Sequence, residues 1–200
     1  MLSSIHPFGE RSRNNSFRRT ASAHIAGGAL GGLTLGAVVG SLGWLVTTLL
    51  SPSNQVRTII VMGAALIALA LEATNRERSL PTRTRQVNEN WIQSYRGWVY
   101  GSGFGAELGF GISTIITTSL VHLLVIAMLL VGSLPESLLL GAAFGTARSA
   151  TVLAARKIDS PERLRLFHQQ LHSLRSRSRS AAVAALALAS AVGLAGLVFQ

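Results

Sequence analysis

Hydrophobic positions along this chain gather into long runs, and polar positions gather between them. Four runs approach the ~20 apolar residues that a helix needs to cross a bilayer. They extend from about Ala23 to Leu50, Thr58 to Ala73, Leu138 to Ala155 and Ala181 to Phe199. A further run, Gly97 to Gly132, is too long for one straight crossing. At 1.5 Å per residue it would reach on the order of 50 Å against ~30 Å of hydrocarbon, so it is expected to kink or to fall into two pieces.

The polar intervals carry arginine unevenly. Arg11, Arg13, Arg18 and Arg19 precede the first run, and Arg76, Arg78, Arg83, Arg85 and Arg96 follow the second. Arg156, Lys157, Arg163, Arg165, Arg175, Arg177 and Arg179 follow the fourth. The interval from Ser51 to Arg57 holds a single cation, and that from Gly132 to Ser137 holds none. Basic segments stay on the cytoplasmic face. Five crossings with the N-terminus inside put every basic segment there; six would export Arg156 to Arg179. The predicted fold is therefore all-α, a polytopic bundle of five transmembrane helices with a cytoplasmic N-terminus. Residues 1–22 read as a disordered basic tail and 23–155 as a membrane bundle of two helical hairpins. Residues 156–180 read as a cytoplasmic amphipathic basic segment, and 181–200 as the last span.

Composition sharpens the class. Only 13% of residues are charged, against roughly a quarter in a soluble domain, yet the formal net charge is +10. Nucleic acid is not expected as a partner, because a nucleic-acid module does not also bury several uncharged runs of bilayer length. The chain has no cysteine, so disulfides, thiolate catalysis and Cys-based metal sites are excluded within it. The location expected is a bacterial inner membrane.

Glycine recurs every fourth residue on three runs: Gly28, Gly32, Gly36 and Gly40; Gly101, Gly105 and Gly109; Gly141 and Gly145. In lipid, helices associate through close packing and interhelical hydrogen bonds, and small residues four apart let backbones approach. Packing inside the bundle is the plain reading, and an interface with a second copy is the sharper one. The first and third runs both open on such a ladder and both lead to a proline-containing turn, a faint internal repeat.

Two charges stand within the runs. Glu107 lies about ten residues into the third and Arg148 about eight residues before the end of the fourth, so their depths match. Intramembrane charges cost at least ~2.5 kcal/mol and face a partner or a cavity. The two are expected to pair, either as a static register-fixing contact or as an ion site. His122 sits deep in the third run after Thr117 and Thr118, a possible polar lining or a packing histidine. Glu72 is expected at the interface beside Arg76, and His24 is also expected to be interfacial. Trp91, Tyr95, Trp98 and Tyr100 read as an aromatic belt that anchors the third run at headgroup depth. After the helix start at Ser160-Pro161, Leu164, Phe167, Leu171 and Leu174 share one face among arginines, as in a helix lying on anionic lipid. No nucleophile–base pair, phosphate loop or metal constellation is visible, so neither enzymatic activity nor a cofactor or metal is expected.

The stretch Arg85 to Thr118, with Arg96-Gly97-Trp98-Val99-Tyr100-Gly101 at its centre, resembles multi-pass bacterial membrane proteins of uncharacterised function. These are loosely similar to the transmembrane thiol-disulfide relay proteins of cytochrome c assembly. The resemblance implies a helical, Gly-rich inner-membrane bundle. The relay chemistry needs a cysteine pair that this chain lacks.

Two functions remain open. One is transport of a small solute or ion, with Glu107 and Arg148 near the path. The other is a non-catalytic assembly factor or structural subunit. Expected partners are anionic lipid headgroups, a second copy of the chain and other membrane subunits. If Glu107 and Arg148 pair, the single substitutions Glu107→Gln and Arg148→Gln each lower thermostability in detergent, and the double variant recovers part of the loss. Additive losses in a thermal unfolding series would rule the pairing out.

Overall fold

A computed structural model describes residues 4–74, 76, 80, 90–111, 116 and 118–198. Their secondary structure is helical, from α1 (Pro7–Ser12) and α2 (Phe17–Leu50) through α3 (Asn54–Ala73) and α4 (Trp91–Ser94). α5 (Gly97–Phe110), α6 (Leu120–Val131) and α7 (Leu134–Ala150) follow, then a 3-10 segment (Thr151–Lys157) and α8 (Pro161–Val198). Local chemistry sets several of these boundaries. Pro7 and Pro161 occupy first-turn positions, where the missing N–H costs nothing. Ser53 caps α3 by accepting from the Val56 N–H at 3.3 Å. α2 stops at Ser51, which turns left-handed ahead of Pro52.

Four helical stretches are long and apolar enough to cross a membrane: Phe17–Leu50, Asn54–Ala73, Leu134–Lys157 and Ser176–Leu197. α2 is the axis of the bundle. It lies between α5 and α7 at backbone contact. A methyl group at Gly109 would collide with the Gly28 carbonyl, and one at Gly141 with the Gly32 carbonyl. α6 takes over along α2 where α5 stops, with Leu129 against Gly43 and Gly132 against Thr47. Met128 packs there with Leu35 and Val39. α3 and α8 form a second layer, joined to α6 through Ala65, Ala68, Leu123 and Leu186.

The third run is two helices, α5 and α6, which lie in succession along α2, the second of the two outcomes expected. Its counterpart α2 is unbroken, so the faint repeat does not extend to helix continuity. The N-terminal residues expected to be disordered carry α1, and Ile5 is buried with Ala21, Tyr100, Phe104 and Val152. The amphipathic segment and the last span are one continuous helix, α8. A helix of 38 residues extends about 57 Å, far beyond ~30 Å of hydrocarbon, so its arginine-rich half continues past the span-length segment Ser176–Leu197. Within that half, Leu164, Phe167 and Leu171 are half-buried and Leu174 is exposed.

Gly63, on the outward side of α3, has open space where a Cβ would stand. Gly109→Ala is therefore expected to cost about 1–3 kcal/mol through overpacking, whereas Gly63→Ala leaves stability unchanged or slightly raised. Thermal unfolding in detergent reads the difference, and equal melting temperatures for the two variants would contradict this packing.

Candidate functional site

The facing ends of α5 and α6 are the focus of the structure's polar chemistry. α5 ends on Gly111, whose φ of +71° favours glycine. The carbonyls exposed at such an end are partially negative. Arg148, from the neighbouring α7, reaches across to them. Its Nη1 donates to the Leu108 carbonyl at 3.3 Å and to that of Gly111 at 3.5 Å. The guanidinium also lies over the Phe144 ring, 5.7 Å from its centre.

α6 begins after Ser119, and a helix start is partially positive. Glu72, from α3, answers it. Its Oε2 accepts from the Ser119 N–H at 3.0 Å, the Ser119 hydroxyl at 2.7 Å and the Thr118 hydroxyl at 3.4 Å. Glu72 is 3% exposed, and its carboxylate turns to Ser119 rather than to the nearest arginine in sequence. Arg179 then closes the end of α3. Its Nη2 donates to the Glu72 carbonyl at 2.7 Å and to that of Ala73 at 3.0 Å, and Nε donates to Glu72 at 3.1 Å. Three helix ends are thus met by side chains of matching charge, each worth roughly 0.3–1 kcal/mol and more where partly buried.

The predicted site residues distribute around this centre. Arg148 is half-buried and bonded to the backbone one residue past Glu107, itself half-buried on α5. His122 is half-buried on α6, and Thr118 turns to Glu72. Thr117 lies outside the described residues. The ladder glycines Gly28, Gly32 and Gly36 face the backbone of α7, and Gly40 faces the side chain of Ser137 on it. Gly141 and Gly145 face α2 in return. Gly101, Gly105 and Gly109 face the α2 carbonyls of Thr20, His24 and Gly28. Of the four aromatic anchors, Tyr95 and Trp98 are exposed, while Trp91 stacks on Phe104 with ring centres 6.2 Å apart. Tyr100 is no anchor: it is fully buried.

The partner of Tyr100 is a carboxylate that sequence reasoning passed over. Glu10, 0% exposed, accepts from the Tyr100 hydroxyl, from Arg13 Nη2 at 2.7 Å and from the Thr20 hydroxyl at 2.7 Å. Buried carboxylates need such donors. This network binds α1 to α2 and α5. The Phe8 N–H adds a bond to the Ile158 carbonyl at 3.0 Å, tying α1 to the end of the 3-10 segment. His24, expected at the interface, is buried, with Nδ1 3.2 Å from the Gly101 carbonyl oxygen. Among the described residues no three His, Cys, Asp or Glu side chains gather as they would around a metal ion.

These features define an all-helical protein of membrane-spanning type whose centre is a pair of facing, charge-capped helix ends. The chain is similar to the methylamine utilization protein MauF of Paracoccus versutus, 31% identical over 130 residues, which is 64% of this chain and 47% of that protein. It is likewise similar to MauF of Paracoccus denitrificans, 27% identical over 129 residues, 64% of this chain and 46% of that one. The chain spans about half the length of these curated relatives. No family model and no solved structure matches it.

The α1 anchor carries a pH dependence. His6 caps α1 by accepting the Gly9 N–H on Nδ1 at 3.1 Å, which requires that nitrogen to be unprotonated. Burial, and then the nearby Arg13 guanidinium, hold the imidazole below its ordinary value of 6.5, against a smaller opposing pull from Glu10. The released tail therefore binds a proton more readily than the docked one. Docking is at full strength above about pH 6.5 and weakens as pH falls below it. Amide exchange across Gly9–Arg13, corrected for intrinsic rates, is expected to accelerate at low pH in the parent protein. In His6→Asn, whose amide caps without titrating, that dependence should shrink; an unchanged pH profile would exclude His6 as its source.

Proposed function

We propose that this chain is a non-catalytic membrane assembly factor or structural subunit, packing against other membrane helices in a methylamine-utilization system. The observation that carries this reading is the self-capping of the two facing helix ends. In a permease built on a broken helix, such ends point at solute or ion. Here the α5 carbonyls hold Arg148 and the α6 start holds Glu72, so the charges that could coordinate a solute are occupied by the chain itself. Transport, with Glu107 and Arg148 along a path, is accordingly the weaker alternative. The similarity to MauF supplies the metabolic setting.

In this reading α2, α3, the α5–α6 pair, α7 and α8 make five crossings of a bacterial inner membrane. The arginine-rich ends lie on the cytoplasmic side, as the bias of Lys and Arg toward that side requires. Glu107 and Arg148 serve helix register, and the glycine faces serve packing.

The test is a deletion strain of a methylamine-using bacterium that carries the gene. Growth on methylamine is expected to fail while uptake of labelled methylamine stays normal. Lost uptake would overturn the assembly reading in favour of transport, and normal growth would remove the methylamine assignment. Cysteine labelling gives an independent check in the purified protein. His122→Cys and Met128→Cys should stay silent to a membrane-impermeant thiol reagent from both sides, while Ser53→Cys and Ser173→Cys label from opposite sides. Labelling at 122 or 128 would reveal a water-filled path.

A further inference from the structure

α5 is a helix whose own sequence does little to stabilise it. Gly97, Gly101, Gly103, Gly105 and Gly109 are five of its 14 residues. Glycine is the poorest helix former after proline, and helices this short are marginal alone. Its N-cap residue, Arg96, makes no side-chain capping bond. That bond comes instead from a residue 82 positions away: the Gly97 N–H donates to Asn15 Oδ1 at 3.3 Å.

Asn15 belongs to the α1 anchor. Asn14 turns left-handed, with φ +56°, a conformation asparagine tolerates, and the Asn15 N–H then donates to the Glu10 carbonyl at 2.8 Å. The Glu10 carboxylate lies against the same helix start. A methyl group at Gly97 would collide with the Thr20 hydroxyl and crowd Asn15 and Glu10. A carboxylate there suits the partial positive charge of a helix start. One turn on, the Tyr100 hydroxyl donates to it as well. The seating of α1 in turn involves His6, which faces charge from two elements: Arg13 and Glu10 of α1, and His168 of α8, with the Ile158 backbone as a bonding partner. A proton on His6 Nδ1 removes the acceptor of the Gly9 N–H and adds positive charge beside Arg13 and His168.

We propose that α1 is a proton-released strap that sets the order of α5: docked, it supplies the cap and the countercharge of the α5 start, and released, it takes both away. The effect reaches past the tail, because the far end of α5 is the one that receives Arg148. The apolar half of α8 packs on α3 through Leu186, Ala65 and Ala68, outside this circuit, and serves as an internal reference.

The experiment follows backbone amide exchange, corrected for intrinsic rates, in the full chain in nanodiscs at about pH 7.5 and about pH 5, on either side of the ordinary histidine value. Acidification is expected to speed exchange at Gly97 and Tyr100 about fivefold, the size of a helix cap, while Ala182 to Ser190 of α8 keep their rates. Asn15→Ala should show the faster α5 rates already at neutral pH, with Gly9–Arg13 exchanging as in the parent, which places the coupling in the cap. His6→Asn should hold the α5 start at its neutral-pH rate in acid. Faster exchange across Gly9–Arg13 in acid with Gly97 and Tyr100 unchanged would break the coupling and overturn the proposal. An acid response of α5 that persists in His6→Asn would remove the proposed trigger and overturn it equally.

Discussion

The approach of the α2 backbone to α5 on one side and α7 on the other is the constraint on which the rest depends. Where a Cβ would meet a carbonyl oxygen of the neighbouring helix, glycine is the residue that fits, and it fits on both partners at Gly28–Gly145 and Gly32–Gly141, while Gly109 of α5 meets the Gly28 carbonyl from the other side. Contact at that range sets helix rotation and axial register together, because a shift of one residue would turn a side chain into the seam. Once α5 and α7 are fixed on α2, Arg148 on α7 is fixed relative to the last turn of α5. Its hydrogen bonds to Leu108 and Gly111 follow from that register.

The placement of charge then follows one rule. A charged side chain among apolar helices is costly, and the partially charged end of a helix is a partner that needs no second ionised residue. Arg148 and Arg179 meet C-terminal ends, and Glu72 meets an N-terminal start. Each sign is the one the helix dipole favours. Buried hydroxyls complete the arrangement: Ser119 gives Glu72 both its N–H and its Oγ–H.

What the sequence disclosed and what it hid divide by distance along the chain. Glycines four apart are a local pattern, and Gly32, Gly105, Gly109 and Gly141 lie against the backbone of a neighbouring helix. Runs of bilayer length are local too, and four helices satisfy that criterion. The division of the third run was foreseen as one of two outcomes, and the residues after Gly111 carry its signal: Gly111 to Ser119 is rich in β-branched Ile and Thr, which are poor helix formers. Glu10 was lost among the arginines of the tail, because its partner Tyr100 lies 90 residues away. Glu72 was matched to the nearest arginine in sequence, although its donors lie 46 and 47 residues on. One signal was legible and misread. No glycine or proline interrupts the chain between Pro161 and Gly193, so nothing in that stretch ends a helix where the arginines give way to alanines.

That continuity has a mechanical consequence. A separate surface helix joined by a hinge would leave the basic end free to move against the bilayer. An unbroken α8, gripped by α3 through Arg179 and Leu186 and joined to α1 through Ile158 and the 3-10 segment, holds the basic end at a set distance and orientation. The buried Glu10 network holds the other side of the same end to α2 and α5. A permease needs two arrangements of its helices and tolerates interfaces that slide. A bundle clamped by backbone contact at its axis, with its helix ends capped and its base tied at two points, has few interfaces free to slide, and that favours the proposed assembly role over alternating access.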